Sequence, residues 1–287
     1  MNNRIVLEPG AKSKNYWKDI WTYRGLFYFL AWRDILVRYK QTAIGVVWSL
    51  LRPAITIAMM CFVSWVFHAQ VPDGVPRAVF VCTATLPWLF FASAFGDVSN
   101  SLISNANLIS KVHFPRLIIP VSTVVVSLID FAISLFILIV LMIIFRYAPD
   151  VRILLIPIFM LFALFNALGI GLIIATLNVK YRDFKYIVPL IIQFGVYVSP
   201  VAFSSDYVYQ RLPVILFGST FLPKVLKGMY SLNPMVAVID GFRWCILGSS
   251  MVIYLPGFLI SIAVSVLFTI LGIWYFRKTE KSFADVI

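Results

Sequence analysis

The chain contains 287 residues, of which 61% are hydrophobic and 13% are charged, and its formal net charge is +12. No hydrophilic stretch is long enough to fold alone, so the composition indicates one membrane domain over residues 1–287 and argues against a soluble enzyme. The positive charge is typical of a membrane protein with basic cytoplasmic loops, so no nucleic-acid partner is expected.

Repeated apolar stretches flanked by basic residues predict membrane-spanning helices, because about 20 helical residues cross a hydrocarbon layer about 30 Å thick. Helices are expected because a segment in lipid must satisfy its own backbone hydrogen bonds. The predicted fold is therefore an all-α integral membrane protein with six transmembrane helices. The predicted spans are Ile44–Phe67, Ala78–Asn100, Leu117–Phe145, Ile153–Asn178, Tyr186–Phe203 and Ile253–Phe276.

Lys and Arg are distributed unevenly between the two sides of these spans. Most of the 24 Lys and Arg residues lie before the first span, after the sixth, or in the second and fourth of the loops between spans. Because cytoplasmic loops are enriched in these residues, both termini are predicted to be cytoplasmic.

The segment before the first span, residues 16–39, mixes tryptophans with basic residues such as Lys18, Arg24 and Arg33. This composition favours an amphipathic helix that lies in the lipid headgroup layer. The alternative is a short transmembrane helix, which the density of charge disfavours.

Two further segments are not simple spans. Residues 105–116 are predicted to form a cytoplasmic loop that is too polar to cross the membrane. Residues 204–252 are predicted to lie on the outer side, although they contain apolar pieces that are too short to cross. Pro213, Pro223 and Pro234 divide this second segment, so it is predicted to form short re-entrant helices before the last span.

One carboxylate is predicted to lie deep in the membrane. Asp130 falls within the third span, about 20 Å from its inner end at 1.5 Å per residue, so it needs a partner or water. Ser127 and Ser134 are one helical turn away and are predicted to share its hydrogen bonds. An interhelical structural bond and a pore-lining role both remain open. Asp97, near the inner end of the second span, is interpreted as an interfacial residue.

The chain lacks the motifs of several enzyme classes. It has no G-x-x-x-x-G-K-[ST] phosphate loop, so any ATP that drives it is expected to bind another chain, and no cofactor or metal site is predicted. His68 and Asp73 have the H-x4-D spacing of some acyltransferases, but this spacing is common by chance and a solvated loop is the favoured interpretation. A membrane enzyme would need a cluster of acid–base residues at one face, and the acids here are scattered.

Aromatic residues make up 16% of the chain, and many fall within the spans. Aromatic faces stack on the C–H faces of sugar rings, so they are suited to line a channel through which a glycan slides. The alternative is contact with lipid or with the membrane interface. The candidate channel residues are Trp48, Trp88, Phe91, Phe194 and Tyr197.

Several short motifs occur in a specific order along the chain. They are Tyr28–Asp34, Arg38–Gly45, Asn107–Arg116, Ser199–Val201, Leu232–Met235 and Gly241–Trp244. Together they resemble the permease subunit of ABC-2 type polysaccharide exporters, the group that includes bacterial O-antigen, capsule and teichoic-acid exporters. The resemblance extends over residues 25–250.

The resemblance implies a channel formed by two copies of the chain in the bacterial inner membrane. Two copies of a separate ABC ATPase, which would bind ATP and Mg²⁺, would dock from the cytoplasm. The implied cargo is a polyprenyl-linked polysaccharide, with O-antigen favoured. The residues implied in coupling to the ATPase are Asn107, Lys111, His113, Phe114, Pro115 and Arg116, and those implied in the substrate gate are Arg38, Lys40, Ile44 and Gly45.

Three other interpretations remain. The first is an ABC-2 permease for capsule, teichoic acid, or a small lipid or drug. The second is a membrane glycosyltransferase or acyltransferase acting on a lipid-linked sugar. The third is a scaffold without a transport role, against which the polar and proline-broken segments at both faces argue.

Overall fold

The computed structural model describes residues 16–40, 45–181, 183–209, 228–251, 253–280 and 283. Within this part of the chain the regular secondary structure is helical and contains no strand, which confirms the all-α prediction. The helices are α1 Tyr16–Thr22, α2 Arg24–Lys40, α3 Gly45–Val66, α4 Arg77–Ser104, α5 Ala106–Lys111, α6 Ile118–Ile144, α7 Ile156–Lys180, α8 Phe184–Val198, α9 Pro234–Leu247 and α10 Leu255–Thr279.

Five helices among the described residues are long and apolar enough to cross a membrane, namely α3, α4, α6, α7 and α10. The predicted span Tyr186–Phe203 forms only the 15-residue helix α8, about 22 Å long, which is shorter than the hydrocarbon layer. The helix ends because Pro200 disfavours helical geometry at Ser199, whose backbone is extended. Among the described residues, five helices therefore have the length of a span, and the sixth predicted span is not confirmed.

Helix α4 occupies the centre of the bundle. In its most apolar 18-residue stretch 83% of the residues are buried, whereas the corresponding fraction in the other four spans is 22–33%. Helices α3, α6, α7, α8 and α9 all pack against it. The other spans therefore keep broad surfaces for lipid or a second protein, while α4 keeps almost none.

Helices α7 and α10 approach each other closely through two glycines. A Cβ atom added to Gly272 would lie 2.2 Å from the carbonyl oxygen of Gly169, and one added to Gly169 would lie 2.7 Å from the amide nitrogen of Thr269. Small residues are the usual device by which membrane helices bring their backbones together. This crossing fixes the last span against the interior of the bundle.

The outer segment contains a buried helix, α9, of 14 residues. Asn233 caps its N-terminus by accepting a hydrogen bond from the Met235 amide, and Pro234 occupies its first turn. Pro234 therefore begins a helix rather than interrupting one, while Pro213 and Pro223 lie outside the described residues. Helix α9 is too short to cross, as the sequence predicted, and its re-entrant placement stays a prediction.

The side chain of Arg243 holds α9 against neighbouring elements. Its guanidinium is fully buried and donates to the carbonyl oxygens of Val201 and Phe203, at 2.8 Å in each case. It also lies 3.9 Å from the ring centroid of Phe80 at the start of α4. The buried charge is thus met by backbone acceptors and by an aromatic face.

The segment 16–39 forms two helices that are separated by a turn at Tyr23. Helix α2 packs against α6, and several aromatic side chains of α1 and α2, including Trp17, Trp21 and Trp32, are exposed. The predicted helix is confirmed, although it is divided in two. Its location in the headgroup layer stays a prediction.

Replacement of Gly272 with alanine tests the α7–α10 crossing. The added methyl group would collide with the backbone of α7, so we expect a loss of about 1–3 kcal/mol of stability and a lower Tm in detergent. Gly25→Ala is the matched control, because nothing lies within 4 Å of the added Cβ and Tm should be unchanged or higher. Equal Tm values for the two variants would contradict the close crossing.

Candidate functional site

A cluster of charged residues joins α2, α4 and α6 inside the bundle. Nη1 of Arg38 lies 3.4 Å from Oδ2 of Asp97 on α4 and 3.1 Å from Oδ2 of Asp130 on α6. The hydroxyl of Tyr39 donates to Oδ1 of Asp130 at 2.5 Å. Burial and the hydrogen bond to Asp130 raise the pKa of Tyr39 to about 12, so the phenol keeps the proton that it donates.

The partners of Asp130 differ from those that the sequence predicted. Ser134 donates to the backbone carbonyl of Asp130 and not to its carboxylate. Ser127 donates to Asp97 at 3.2 Å and lies 3.0 Å from the hydroxyl of Ser93. The prediction that these serines share the Asp130 carboxylate is wrong, because a cation from another helix satisfies that carboxylate better than a neutral hydroxyl.

The cluster also includes Asp97. The structure pairs this carboxylate with Arg38 and Ser127, and its predicted interfacial location stays a prediction. One guanidinium is shared by two carboxylates, and the three side chains are 22–38% exposed. If these partly exposed charges lie within the membrane, they face water or another protein and not hydrocarbon.

The structure places only part of the predicted substrate gate. Arg38 belongs to the charged cluster, and Lys40 is the exposed last residue of α2. Gly45 is the first residue of α3, and Ile44 lies outside the described residues. The gate assignment stays a prediction.

The predicted coupling segment, residues 105–116, consists of α5 followed by an extended stretch that leads into α6. Asn107, Lys111 and His113 are exposed, whereas Phe114 is buried in the hydrophobic core. Pro115 and Arg116 are half-buried. The six predicted coupling residues therefore divide into an outward-facing group available for docking and an inward-facing group that fixes the segment to the bundle.

Side chains from distant elements hold both ends of this segment. At its start, Nη2 of Arg33 on α2 donates to Oδ1 of Asn105 at 2.9 Å. At its end, the backbone amide of Arg116 donates to Oε1 of Glu280 at 2.7 Å, and the Arg116 guanidinium donates to the Glu280 carbonyl oxygen. The segment therefore contacts α2 and the residue after α10 as well as its neighbours in sequence.

Glu280 lies in a partly enclosed polar site beside α1. Burial raises the pKa of Glu280, although the amide of Arg116 and the charges of Arg116 and Arg277 oppose the shift. The buried hydroxyl of Tyr16 lies beside this carboxylate without a hydrogen bond of good geometry. The ring of Tyr16 lies 4.6 Å from the guanidinium carbon of Arg277.

The predicted channel aromatics fall into two groups. Trp48 on α3 and Phe194 and Tyr197 on α8 are exposed, and they are available to a passing polymer, to lipid or to a second copy. Trp88 and Phe91 on α4 are buried, with ring centroids 5.4 Å apart. These two could contact a polymer only if the helices that cover α4 moved away.

Two residues of this region were not predicted from the sequence. Val112 lies in the coupling segment and is 48% exposed despite its apolar side chain. Glu280 lies far from the segment in sequence, so no local pattern connects it to Arg116. Val112 falls within the predicted coupling segment without being singled out there.

Helices of membrane length around one buried helix define a multi-pass membrane protein. Residues 25–247 match the family described as ABC-2 type transporter, and the chain belongs to that family. The family resemblance found in the sequence is thereby confirmed.

Three relatives share the name O-antigen export system permease protein RfbA. One from Klebsiella pneumoniae is 27% identical over 263 residues, covering 89% of this chain and 92% of the relative. The protein from Myxococcus xanthus is 27% identical over 227 residues, covering 79% of this chain and 82% of the relative. A second protein from Klebsiella pneumoniae is 25% identical, with coverage of 89% and 92%.

Replacement of Asp130 with asparagine tests the charged cluster. The variant removes one of the two carboxylates that neutralise Arg38, so we expect a loss of about 1 kcal/mol, because partial exposure weakens the ion pair. Hydrogen exchange should accelerate in α2. Asp73→Asn, the same change on an exposed loop, should leave exchange in α2 unaltered. Unchanged exchange in Asp130→Asn would show that the cluster does not hold α2.

Proposed function

We propose that the chain is the channel-forming subunit of an ATP-driven exporter in the bacterial inner membrane. Its cargo is a lipid-linked polysaccharide, and O-antigen is the favoured one. Two copies form the channel, and two copies of a separate ABC ATPase bind ATP and Mg²⁺ and dock from the cytoplasm. This chain itself makes and breaks no covalent bond of the cargo. Membership of the ABC-2 family and the names of the three relatives support the cargo.

The observation that carries the proposal is the outward-facing side of the coupling segment. Asn107, Lys111, Val112 and His113 are exposed together at one end of the bundle. The buried Phe114 and the bonds at Asn105 and Arg116 hold that surface against the helices. A firmly supported surface transmits force from a docked subunit, whereas a loose loop would absorb it.

The same end of the bundle is rich in basic residues. Arg116, Lys180, Arg277 and Lys278 all lie near the coupling segment or at the adjoining ends of α7 and α10. The proximity of Tyr16 to Glu280 places the start of α1 and the end of α10 at this end too. The positive-inside rule supports a cytoplasmic location for this end and for both termini.

The cargo would reach the channel from this basic side. Arg38 is already engaged by two carboxylates, so the cations that remain exposed nearby, such as Lys18, Arg24 and Lys40, are better suited to attract the pyrophosphate of a polyprenyl carrier. ATP binding would then close the ATPase dimer and displace the coupling segment. The two permease copies would rearrange, and the polymer would move outward past exposed aromatic rings.

Replacement of Val112 with aspartate tests the docking surface. Burial of valine at an interface stabilises the complex, whereas a buried carboxylate must lose its water, so we expect ATPase binding to weaken by tenfold or more, equivalent to about 1.4 kcal/mol. The measurement is the amount of ATPase that copurifies with the permease from membranes.

Val151→Asp provides the matched control, because Val151 is 82% exposed and lies in the 3₁₀ helix Val151–Leu155 that precedes α7. This variant should retain the ATPase. Equal losses in both variants would indicate a general effect of a new charge, and equal retention would place the docking surface elsewhere.

Deletion of the gene tests the cargo. For an exporter, we expect finished polysaccharide to accumulate in the cytoplasm while surface polysaccharide is lost, measured by immunoblotting of intact cells and of lysates. The readout separates synthesis from transport, because the polymer is made on the inner face before it is exported.

Two other outcomes would contradict this proposal. Absence of the polymer from both the surface and the cytoplasm would favour a glycosyltransferase or acyltransferase. An unchanged surface polysaccharide would indicate another cargo, such as a small lipid or drug.

A further inference from the structure

We propose that Glu280 is the positioning residue that connects the coupling segment to the last span, α10, and to the N-terminal helix, α1. A displacement of residues 105–116 would then move α10 and α1 together with it. This inference rests on the proposed function, because it takes a docked ATPase as the source of the displacement.

The chain itself connects the coupling segment only to α4 and α6. Glu280 is 164 residues away from Arg116 in sequence, yet both residues are joined by two hydrogen bonds. The carboxylate of Glu280 accepts from the Arg116 amide, and the backbone carbonyl of Glu280 accepts from the Arg116 guanidinium. Arg116 thus binds the end of α10 through both its backbone and its side chain.

Apolar contacts reinforce this connection. Phe283, just beyond Glu280, is almost fully buried, and its ring centroid lies 5.3 Å from that of Phe276 on α10. The guanidinium carbon of Arg116 lies 5.9 Å from the Phe283 ring centroid. Because buried aromatic area resists separation, the coupling segment and the residues after α10 form one packed unit.

Helix α1 joins the same unit. Arg277, in the last turn of α10, lies over the ring of Tyr16, and the Tyr16 hydroxyl lies beside the Glu280 carboxylate. Helix α1 leads through the turn at Tyr23 into α2, which carries Arg38 of the charged cluster. The contacts at Glu280 therefore give the docking surface a second route to α2, through α1, in addition to the direct hydrogen bond from Arg33 to Asn105.

The position of Glu280 is unfavourable for the helix itself. A carboxylate at the C-terminal end of a helix meets the negative end of the helix dipole, where cations such as Arg277 and Lys278 are favourable. A glutamate at this position therefore does not stabilise α10. Its presence is explained by the hydrogen bond that its carboxylate accepts from the Arg116 amide.

The test is hydrogen exchange on the complex of the permease with its copurified ATPase, with and without a non-hydrolysable ATP analogue. In the wild-type chain we expect the analogue to change exchange in residues 105–116, in α1 and at the end of α10. In Glu280→Ala the change should persist in residues 105–116 and fall about fivefold or more in α1.

Three variants make this test specific. Glu280→Gln keeps an oxygen that accepts the Arg116 amide hydrogen bond, so it should behave as the wild-type chain does. Glu280→Asp keeps the charge but shortens the side chain, so it should behave as Glu280→Ala and replaces that variant if the alanine protein does not fold. Lys278→Ala, on the exposed side of the same turn, is the control and should have no effect.

The outcomes separate this inference from the proposed function. Undiminished exchange changes in α1 in both Glu280→Ala and Glu280→Asp would overturn the role of Glu280 while leaving the exporter proposal intact. Failure of any ATPase to copurify with the wild-type chain would overturn both. Loss of surface polysaccharide in Glu280→Asp, with ATP hydrolysis within about twofold of the wild-type rate, would support the role.

Discussion

The structure depends on the burial of α4, a helix of membrane length that neighbouring helices surround. Such a helix can carry polar side chains only if they are satisfied within the protein. Thr83, Thr85 and Ser101 are buried, and each donates to a backbone carbonyl of α4 itself three or four residues earlier. Helix α7 supplies a donor for α4, because the side-chain amide of Asn178 donates to the backbone carbonyl of Ser99 at 3.1 Å. Helix α4 therefore satisfies several of its own polar side chains, and its neighbours add polar contacts at Asp97 and Ser99.

Two arginines of the bundle, Arg243 and Arg38, each meet acceptors from the backbone or from another helix. The chain leaves helical geometry after α8, so the carbonyls of Val201 and Phe203 lack helical donors, and Arg243 supplies them. At the other cluster, Arg38 is placed between two carboxylates from two helices. A buried charge is costly when it loses a partner, so each arrangement fixes the relative position of the elements that it joins.

The sequence predicted the features that depend on composition and local pattern, because apolar length and basic flanks follow directly from the thickness of the bilayer. It thereby located the five helices of membrane length and the helical segment before them, while the coupling role of residues 105–116 stays a prediction. It failed where a long-range partner decides the outcome. Asp130 was assigned to serines on its own helix because those neighbours are visible in the sequence, whereas Arg38 is not. The contact of Glu280 with Arg116 likewise depends on long-range geometry, whereas Pro200 is a local signal for the early end of α8 that the prediction did not use.

The arrangement of side chains on α2 indicates the environment of that helix. Its charged residues Asp34 and Arg38 turn partly toward the protein, where Arg38 meets carboxylates, while Tyr28, Phe29 and Trp32 are exposed, with Tyr28 and Trp32 stacked. Leu30 and Ala31 also face the protein, as on an ordinary amphipathic helix, but the helix differs from one on a soluble protein in the large aromatic side chains on its exposed side. Exposed aromatic residues are stable where lipid or the headgroup region surrounds them. The protein-facing charges of α2 and its outward aromatics therefore both follow if the helix runs along α6 with its exposed face in the membrane.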